Sequence, residues 1–172
     1  AHCISQWGYD FRPSYCRIAE TKRKLLAIPT IAVTASATPL VLTDIQLQLG
    51  LHEPRVFKQS FIRPNISYSC FESESKINKI LEILQKVPGS SIVYCNSRKQ
   101  CKKIAEAILL QGISADFYHA GLNQLLREQK QQSWIQNKTR VMVSTNAFGM
   151  GIDKPEVRTV IHHDIPDCLE NY

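Results

Sequence analysis

The sequence predicts an α/β fold in which helices flank a parallel sheet. Short apolar segments alternate along the chain with longer segments whose apolar residues recur every three or four positions. This alternation is typical of strands connected by amphipathic helices. Hydrophobic residues make up 44% of the 172 residues, which is enough to form a core.

The first fifty residues predict helices around one strand. A helix is expected over 13–26 and a strand over 30–34. Thr38 followed by Pro39 is typical of a helix start, and the apolar residues continue to about Leu49. Because one strand cannot form a sheet, this segment is expected to be the end of a domain whose beginning is missing.

The rest of the sequence predicts one lobe with several strands and helices. Residues 50–65 contain proline and charge without a clear period, so we interpret them as a linker. The predicted strands are 66–71, 91–95, 115–119, 140–145 and 159–164. The predicted helices are 75–85, 97–111 and 124–136, with a further helix start near Asp167.

Two glycines and an acid follow the predicted strand 140–145. Gly149 and Gly151 allow the backbone to approach a ligand closely, and Asp153 can accept from a hydroxyl or pair with an arginine. Phosphate-rich ligands bind at the carboxyl ends of parallel strands. A purely structural turn is the alternative explanation.

Aromatic and polar residues are concentrated in segment 5–15. Trp7, Phe11 and Arg12 lie between Gly8 and Pro13, which favours a surface loop. Exposed aromatic rings stack on unpaired bases at roughly 1–3 kcal/mol per base, and a guanidinium binds phosphate. The alternative is that the aromatic residues are anchors of the core.

The composition narrows the class of protein. The formal net charge of +6 favours a polyanionic partner, although a mildly basic protein without one fits equally well. Residues 98, 99, 102 and 103 place positive charge on one helix face, either a solvated face or a groove for a nucleic-acid backbone. No apolar run reaches the ~20 residues that span a bilayer.

Six cysteines show neither a CxxC pair nor zinc-ligand spacing, which predicts a reducing intracellular setting and no metal in this segment. A metal at His162 and His163 is disfavoured, because adjacent strand residues point to opposite faces.

Six segments together resemble the motifs of RecQ-family DNA helicases, in the order and spacing of that family. They are AHCISQWGYDFRPSY (1–15), TASAT (34–38), SFIRPN (60–65), IVYCNSR (92–98), YHAGL (118–122) and TNAFGMGID (145–153). The resemblance implies RecA-like folds: the end of a first lobe (1–50), a linker (51–64) and most of a second lobe (65–172). Tyr9 departs from the family, where histidine is frequent at that position. The string Ser-Ala-Thr is shared with DEAD-box RNA helicases.

The resemblance also implies roles for individual residues. His2 would be the last residue of the DEAH box and would couple nucleotide to DNA. The implied DNA-binding residues are Ser5, Gln6, Trp7, Phe11, Arg12, Asn96, Ser97, Arg98, His119 and Thr145. The implied ATP-coupling and lobe-interface residues are Thr34, Ser36, Gly149, Gly151 and Asp153. For Ser97, capping of the following helix is an alternative role.

The implied activity is that of a longer parent protein. The parent would be an ATP-dependent 3′–5′ helicase that uses ATP and Mg²⁺, acts on single-stranded and forked DNA in repair and recombination, and is cytoplasmic or nuclear. The sequence contains no GxxxxGK phosphate loop and no arginine-finger motif. We therefore expect no ATPase activity and no tight nucleotide binding from this chain alone. A DEAD-box-like RNA helicase segment and a non-enzymatic single-strand-binding module are the alternatives.

Overall fold

The computed structural model describes most of the chain, which divides into two units, Ala1–Ser67 and Tyr68–Tyr172. The described residues are 1–5, 13–25, 28–35, 37–60, 62–149 and 151–166. Several predicted features lie outside them: Gln6, Trp7, Phe11, Arg12, Ser36 and the helix start near Asp167.

The described part of the first unit is helical. It contains a 3₁₀ helix, His2–Ile4, and three α-helices: α1 (Pro13–Cys16), α2 (Ile18–Lys24) and α3 (Pro39–Gln48).

The start of α3 follows from its sequence. Pro39 occupies the first helical position, and Thr38 Oγ1 accepts a hydrogen bond from Val41 N–H at 3.4 Å, which confirms the predicted cap. Ile45 of α3 packs with Ile4 in a small buried cluster.

Two predictions for this unit are wrong. The single helix over 13–26 is divided at Arg17, whose N–H bonds to Ser14 O in the tighter 3₁₀ pattern. The segment 30–34 forms no strand in the structure, and Ile31 and Val33 are exposed. A strand is stable only when it pairs with a neighbouring strand. The described residues of this unit provide no such neighbour, so the apolar sequence alone does not produce a strand here.

The second unit contains a four-stranded parallel sheet, which confirms the predicted fold class. Its strands lie in the order β2-β3-β1-β4. The strands are β1 (Ser90–Tyr94), β2 (Ala115–Tyr118), β3 (Val141–Ser144) and β4 (Val157–His162). The helices are α4 (Lys76–Lys86), α5 (Arg98–Leu110) and α6 (Gln124–Ile135).

Apolar side chains on both faces of the sheet form the core. On one face, Val93 and Val143 pack with Ile108 of α5. On the other face, Met142 packs with Trp134 of α6. β3 is buried along its whole length, as expected for a strand covered on both faces. The core thus fixes the strand ends that carry the candidate site.

The predicted strand over 66–71 is also wrong. This segment forms no strand in the structure, and Tyr68 and Phe71 are exposed. The Phe71 ring lies 4.5 Å from Lys79 Nζ of α4, a cation–π contact rather than a ladder contact. β-branched and aromatic residues fit the pleated surface of a sheet. No strand of the described sheet pairs with residues 66–71, so these residue types do not form a strand here.

Candidate functional site

The parallel register brings the carboxyl ends of the four strands to one edge of the sheet. Ser144 of β3 pairs with both Tyr94 of β1 and Tyr118 of β2, and Tyr94 pairs with His162 of β4. Polar residues follow these strand ends. They are Asn96, Ser97, Arg98, His119, Thr145, His163 and Asp164. The fold therefore places all five predicted DNA-binding residues of this unit at the edge where parallel sheets bind ligands.

The turn from β1 to α5 is held by two hydrogen bonds. Ser97 is the N-cap of α5, and its Oγ accepts from Gln100 N–H at 3.2 Å. The Asn96 N–H donates to Asp164 Oδ2 at 3.0 Å. The Ser97 hydroxyl therefore has a capping role, and the Asn96 N–H is occupied by a carboxylate of the same unit.

Asp164 is the centre of a polar network that sequence reasoning did not identify. Its Oδ1 lies 2.9 Å from His163 Nδ1 and 3.6 Å from Lys76 Nζ, and Lys76 Nζ also donates to His163 O at 3.0 Å. Gln100 Nε2 lies 3.2 Å from His163 Nδ1. Lys76 precedes His163 by 87 positions, so no local spacing could have revealed this contact.

The network keeps Asp164 ionised. Burial is the largest single influence and favours the neutral acid, but the Asn96 N–H bond, His163 and Lys76 oppose it. Together they hold the pKa of Asp164 below its ordinary value. The turn between β1 and α5 is thus anchored to β4 by a charged group.

Arg98 lies against the loop that follows β2. A Cβ placed on Gly121 would be 2.6 Å from Arg98 Nη1, so the guanidinium occupies the space beside this glycine. His119, two residues before Gly121, has its pKa lowered first by burial and then by the positive charges of Arg98 and Lys130. Cationic side chains from two helices therefore surround the end of β2.

Three buried side-chain nitrogens in the described residues have no hydrogen-bond partner in the protein. They are His119 Nδ1, Arg127 Nε and Trp134 Nε1. Of the three, His119 directly follows β2. Buried polar atoms are usually hydrogen-bonded, so the free His119 Nδ1 suits a bound group or a water molecule.

The two glycines after β3 differ in the structural reason for which a glycine is needed. Gly149 has φ +108°, and a Cβ there would lie 2.6 Å from Tyr94 Oη. Tyr94 donates that hydroxyl to Phe148 O at 3.0 Å, and burial raises the pKa of Tyr94. A purely structural turn, the alternative to a ligand-binding role, thus explains Gly149. Gly151 has φ +76° with open space where a side chain would be, and Asp153 is exposed.

The backbone N–H and carbonyl groups of Thr145, which follows β3, are both hydrogen-bonded. Its N–H donates to Tyr118 O at 3.4 Å, and its carbonyl accepts from Phe148 N–H at 3.3 Å. Its side chain is half-buried.

In the first unit, two of the predicted coupling residues are in contact. His2 Nδ1 lies 3.1 Å from Thr34 Oγ1, although 32 positions separate them. Ser5 N–H donates to His2 O at 3.0 Å. The segment 30–34, which forms no strand, thus contacts the DEAH-like histidine through Thr34.

The described part of the chain contains no group of three His, Cys, Asp or Glu residues arranged to hold a metal ion. None of its helices is long and apolar enough to cross a membrane.

Residues 75–172 match the family model described as helicase conserved C-terminal domain. The chain belongs to this family. It is 46% identical over 177 aligned residues to the RecQ-like DNA helicase blm-1 of Caenorhabditis elegans, covering 100% of this chain and 18% of that protein. It is 43% identical over 173 residues to the ATP-dependent DNA helicase RecQ of Pasteurella multocida, covering 100% of this chain and 27% of that protein.

These relatives confirm the resemblance to the RecQ family, and the chain spans less than a third of their length. Among solved structures, the C-terminal domain of a variant of S. cerevisiae Dbp5 bound to Gle1 and IP6 has a TM-score of 0.51 at 23% identity. That match covers 55% of this chain and 53% of the other. At this identity, the match supports the α/β fold and nothing finer.

Proposed function

We propose that this chain is a segment of an ATP-dependent DNA helicase of the RecQ type. The whole protein would move 3′ to 5′ along single-stranded DNA, unwind forked duplexes in repair and recombination, and act in the cytoplasm or nucleus. The observation that carries the proposal is the alignment of the entire chain with RecQ helicases at 43–46% identity.

The second unit supplies part of the grip on the DNA backbone. Arg98 is held beside Gly121 at the carboxyl edge of the sheet, with His119 and its unpartnered Nδ1 close to the same loop. A phosphate is an anion that accepts hydrogen bonds, so it suits both the positive charge and the free nitrogen. Asn96 and Thr145 lie at adjacent strand ends and would contact the same strand.

The nucleotide side of the proposal rests on fewer residues of this chain. Gly151 and Asp153 fit a ligand-facing position, because one has open space beside it and the other is exposed. When bound, ATP with Mg²⁺ would supply the free energy of phosphoryl transfer. His2 and Thr34, already in contact, would transmit the nucleotide state to the aromatic loop that contains Trp7 and Arg12.

Two other functions make different predictions. A DEAD-box-like RNA helicase would prefer RNA over DNA of the same sequence. A binding module without enzymatic activity would bind a single strand equally well, but its longer parent would not hydrolyse ATP. The relatives favour the RecQ function over both.

Binding of a labelled oligonucleotide to the 172-residue chain tests the grip. We expect salt-sensitive fluorescence anisotropy binding to single-stranded DNA, and at least a threefold weaker affinity for Arg98→Gln, because one phosphate contact is lost. Arg158→Gln is the matched control: this exposed arginine belongs to β4, bonds to Pro155 O and lies away from the carboxyl edge. Preference for RNA of the same sequence would favour the DEAD-box alternative, and equal losses in both variants would argue against a site at Arg98.

ATP hydrolysis by the longer parent protein tests the enzymatic part. We expect single-stranded DNA to stimulate turnover, and Trp7→Ala or Arg12→Ala to abolish this stimulation while basal hydrolysis persists. The reason is that these residues would sense bases rather than bind nucleotide. Unchanged stimulation in both variants would contradict the sensing role.

A further inference from the structure

Two buried thiols face each other beneath the β1–α5 turn. Cys95 directly follows β1, and Cys101 lies in the first turns of α5. Their sulfur atoms are 3.1 Å apart, and the residues are 2% and 0% exposed. Both thiols are free. The sequence showed no CxxC pair, and only the packing of α5 against the sheet brings these two residues together.

We propose that Cys95 and Cys101 form a reversible disulfide when the protein meets a peroxide. A disulfide bond is about 2.05 Å long, so the sulfurs need to approach by about 1 Å. Neither sulfur has to cross another element to do so, because they are already in contact. This inference does not depend on the proposed helicase function.

The two thiols are not equivalent. Either thiol can donate the hydrogen bond between the two sulfurs. That bond lowers the pKa of Cys101 and raises the pKa of Cys95. Cys101 also lies near the amino end of α5, where the helix dipole favours a thiolate. Cys101 is therefore the nucleophile, and Cys95 is the resolving thiol.

The reaction balances in two steps. The Cys101 thiolate attacks one peroxide oxygen and the O–O bond breaks, which leaves a sulfenic acid on Cys101. The departing hydroxide takes up a proton and leaves as water. The Cys95 sulfur then attacks the Cys101 sulfur, the S–O bond breaks, and hydroxide leaves with the Cys95 proton as a second water. The two thiols are oxidised by two electrons, and one peroxide is reduced to two waters.

Burial slows the first step, but proximity accelerates the second. Buried thiols are normally inert because oxidants do not reach them. Hydrogen peroxide is close to water in size, and a sulfenic acid formed at Cys101 has its partner in contact. Exposed Cys70 is the internal reference for a thiol that oxidants reach freely.

The bond would close a small ring around the turn of the candidate site. This ring includes Asn96, Ser97 and Arg98. Drawing the sulfurs together would tighten the segment that positions the Ser97 cap and the Arg98 guanidinium.

Peptide mapping of the 172-residue chain tests the proposal. The chain is treated with hydrogen peroxide, its remaining thiols are alkylated in denaturant, and it is digested with trypsin without reductant. Trypsin cleaves after Arg98 and Lys99, so Cys95 and Cys101 leave in separate peptides that only a disulfide joins. We expect the joined pair, two hydrogens lighter than the sum of its parts, and its separation by dithiothreitol.

Cys95→Ser and Cys101→Ser are the matched controls, and neither should yield a joined pair. In Cys95→Ser, Cys101 should instead proceed to sulfinic acid, because the resolving thiol is absent. The proposal is overturned if both cysteines of the unmodified chain are alkylated at a peroxide dose that has fully oxidised Cys70. Because that measurement uses the unmodified chain, it decides the question even where a variant fails to fold.

Discussion

At the scale of single residues, the Tyr94 hydroxyl occupies the space that a side chain at position 149 would need. Gly149 has a positive φ, and its missing Cβ leaves room for the Tyr94 hydroxyl. We expect Gly149→Ala to lower the free energy of unfolding by roughly 2–4 kcal/mol, from backbone strain plus overlap. Urea unfolding followed by tryptophan fluorescence measures this change.

A double-mutant cycle separates the two causes. Tyr94→Phe removes the oxygen 2.6 Å from the added Cβ, so Gly149→Ala should cost less in that background. Gly151→Ala is the strain-only control at roughly 1 kcal/mol, because its φ is also positive but the surrounding space is open. An equal cost of Gly149→Ala in both backgrounds would show that the hydroxyl plays no part.

Asp164 makes a pH-dependent contribution to stability. Its folded-state pKa lies below the ordinary value of 3.8, so the unfolded chain takes up the proton first as the pH falls. The stabilisation is therefore fully present above that ordinary value and is lost as the pH falls through the folded-state pKa. We expect Asp164→Asn to cost about 1.5–3 kcal/mol at pH 7, the size of a hydrogen bond to a charged group. Urea unfolding as a function of pH measures it.

The difference between Asp164→Asn and the unmodified chain should shrink between pH 7 and an acid pH below the folded-state pKa of Asp164, where the carboxylate is protonated in both states. Exposed Asp153→Asn is the control and should change the free energy of unfolding by less than about 0.5 kcal/mol at either pH. A constant deficit for Asp164→Asn across this range would mean that shape rather than charge holds the turn.

At the scale of elements, the Ser97 cap of α5 allows two roles of one hydroxyl to be distinguished. Ser97→Ala removes the bond to Gln100 N–H and should cost about 1 kcal/mol of stability. Ser97→Asp keeps a capping oxygen but adds negative charge. We therefore expect Ser97→Asp to retain the stability of the unmodified chain while binding single-stranded DNA several-fold more weakly, as measured by urea unfolding and anisotropy.

The equivalent cap of α4 is the matched control. Ser75 accepts from Asn78 N–H at 3.4 Å, so Ser75→Ala and Ser75→Asp repeat the change in stability at a helix start whose capping residue is not part of the β1–α5 turn. If Ser97→Asp and Ser75→Asp bind DNA equally well, capping is the only role of Ser97.

The elements that sequence predicted well are those with local signals. The start of α3 was readable from Thr38 and Pro39, and α5 was readable from Ser97 and its apolar face, with bounds that differ by one residue. The strands expected over 30–34 and 66–71 were not found. Residues with high β propensity form a strand only where a neighbouring strand is available for pairing, and propensity alone does not reveal whether one is. The site is similar: strand ends were predictable, whereas the contacts of Asp164 join residues far apart in sequence.

At the scale of the whole chain, the two units differ in how much core they possess. The described part of the first unit buries a small cluster formed by Ile4, Ile45 and Leu49. The second unit buries apolar layers on both faces of a hydrogen-bonded sheet. Since burial of apolar surface is the main term that opposes chain entropy, their independent stabilities should differ.

We expect residues 68–172, produced alone, to unfold in one cooperative transition, and residues 1–67 alone to show none. Circular dichroism during heating measures both, because cooperativity requires a core that melts as a unit. The full chain is the control, and its main transition should lie within a few degrees of that of 68–172. A cooperative transition from 1–67 would show that its small cluster is sufficient. The absence of one from 68–172 would show that the sheet depends on the preceding residues.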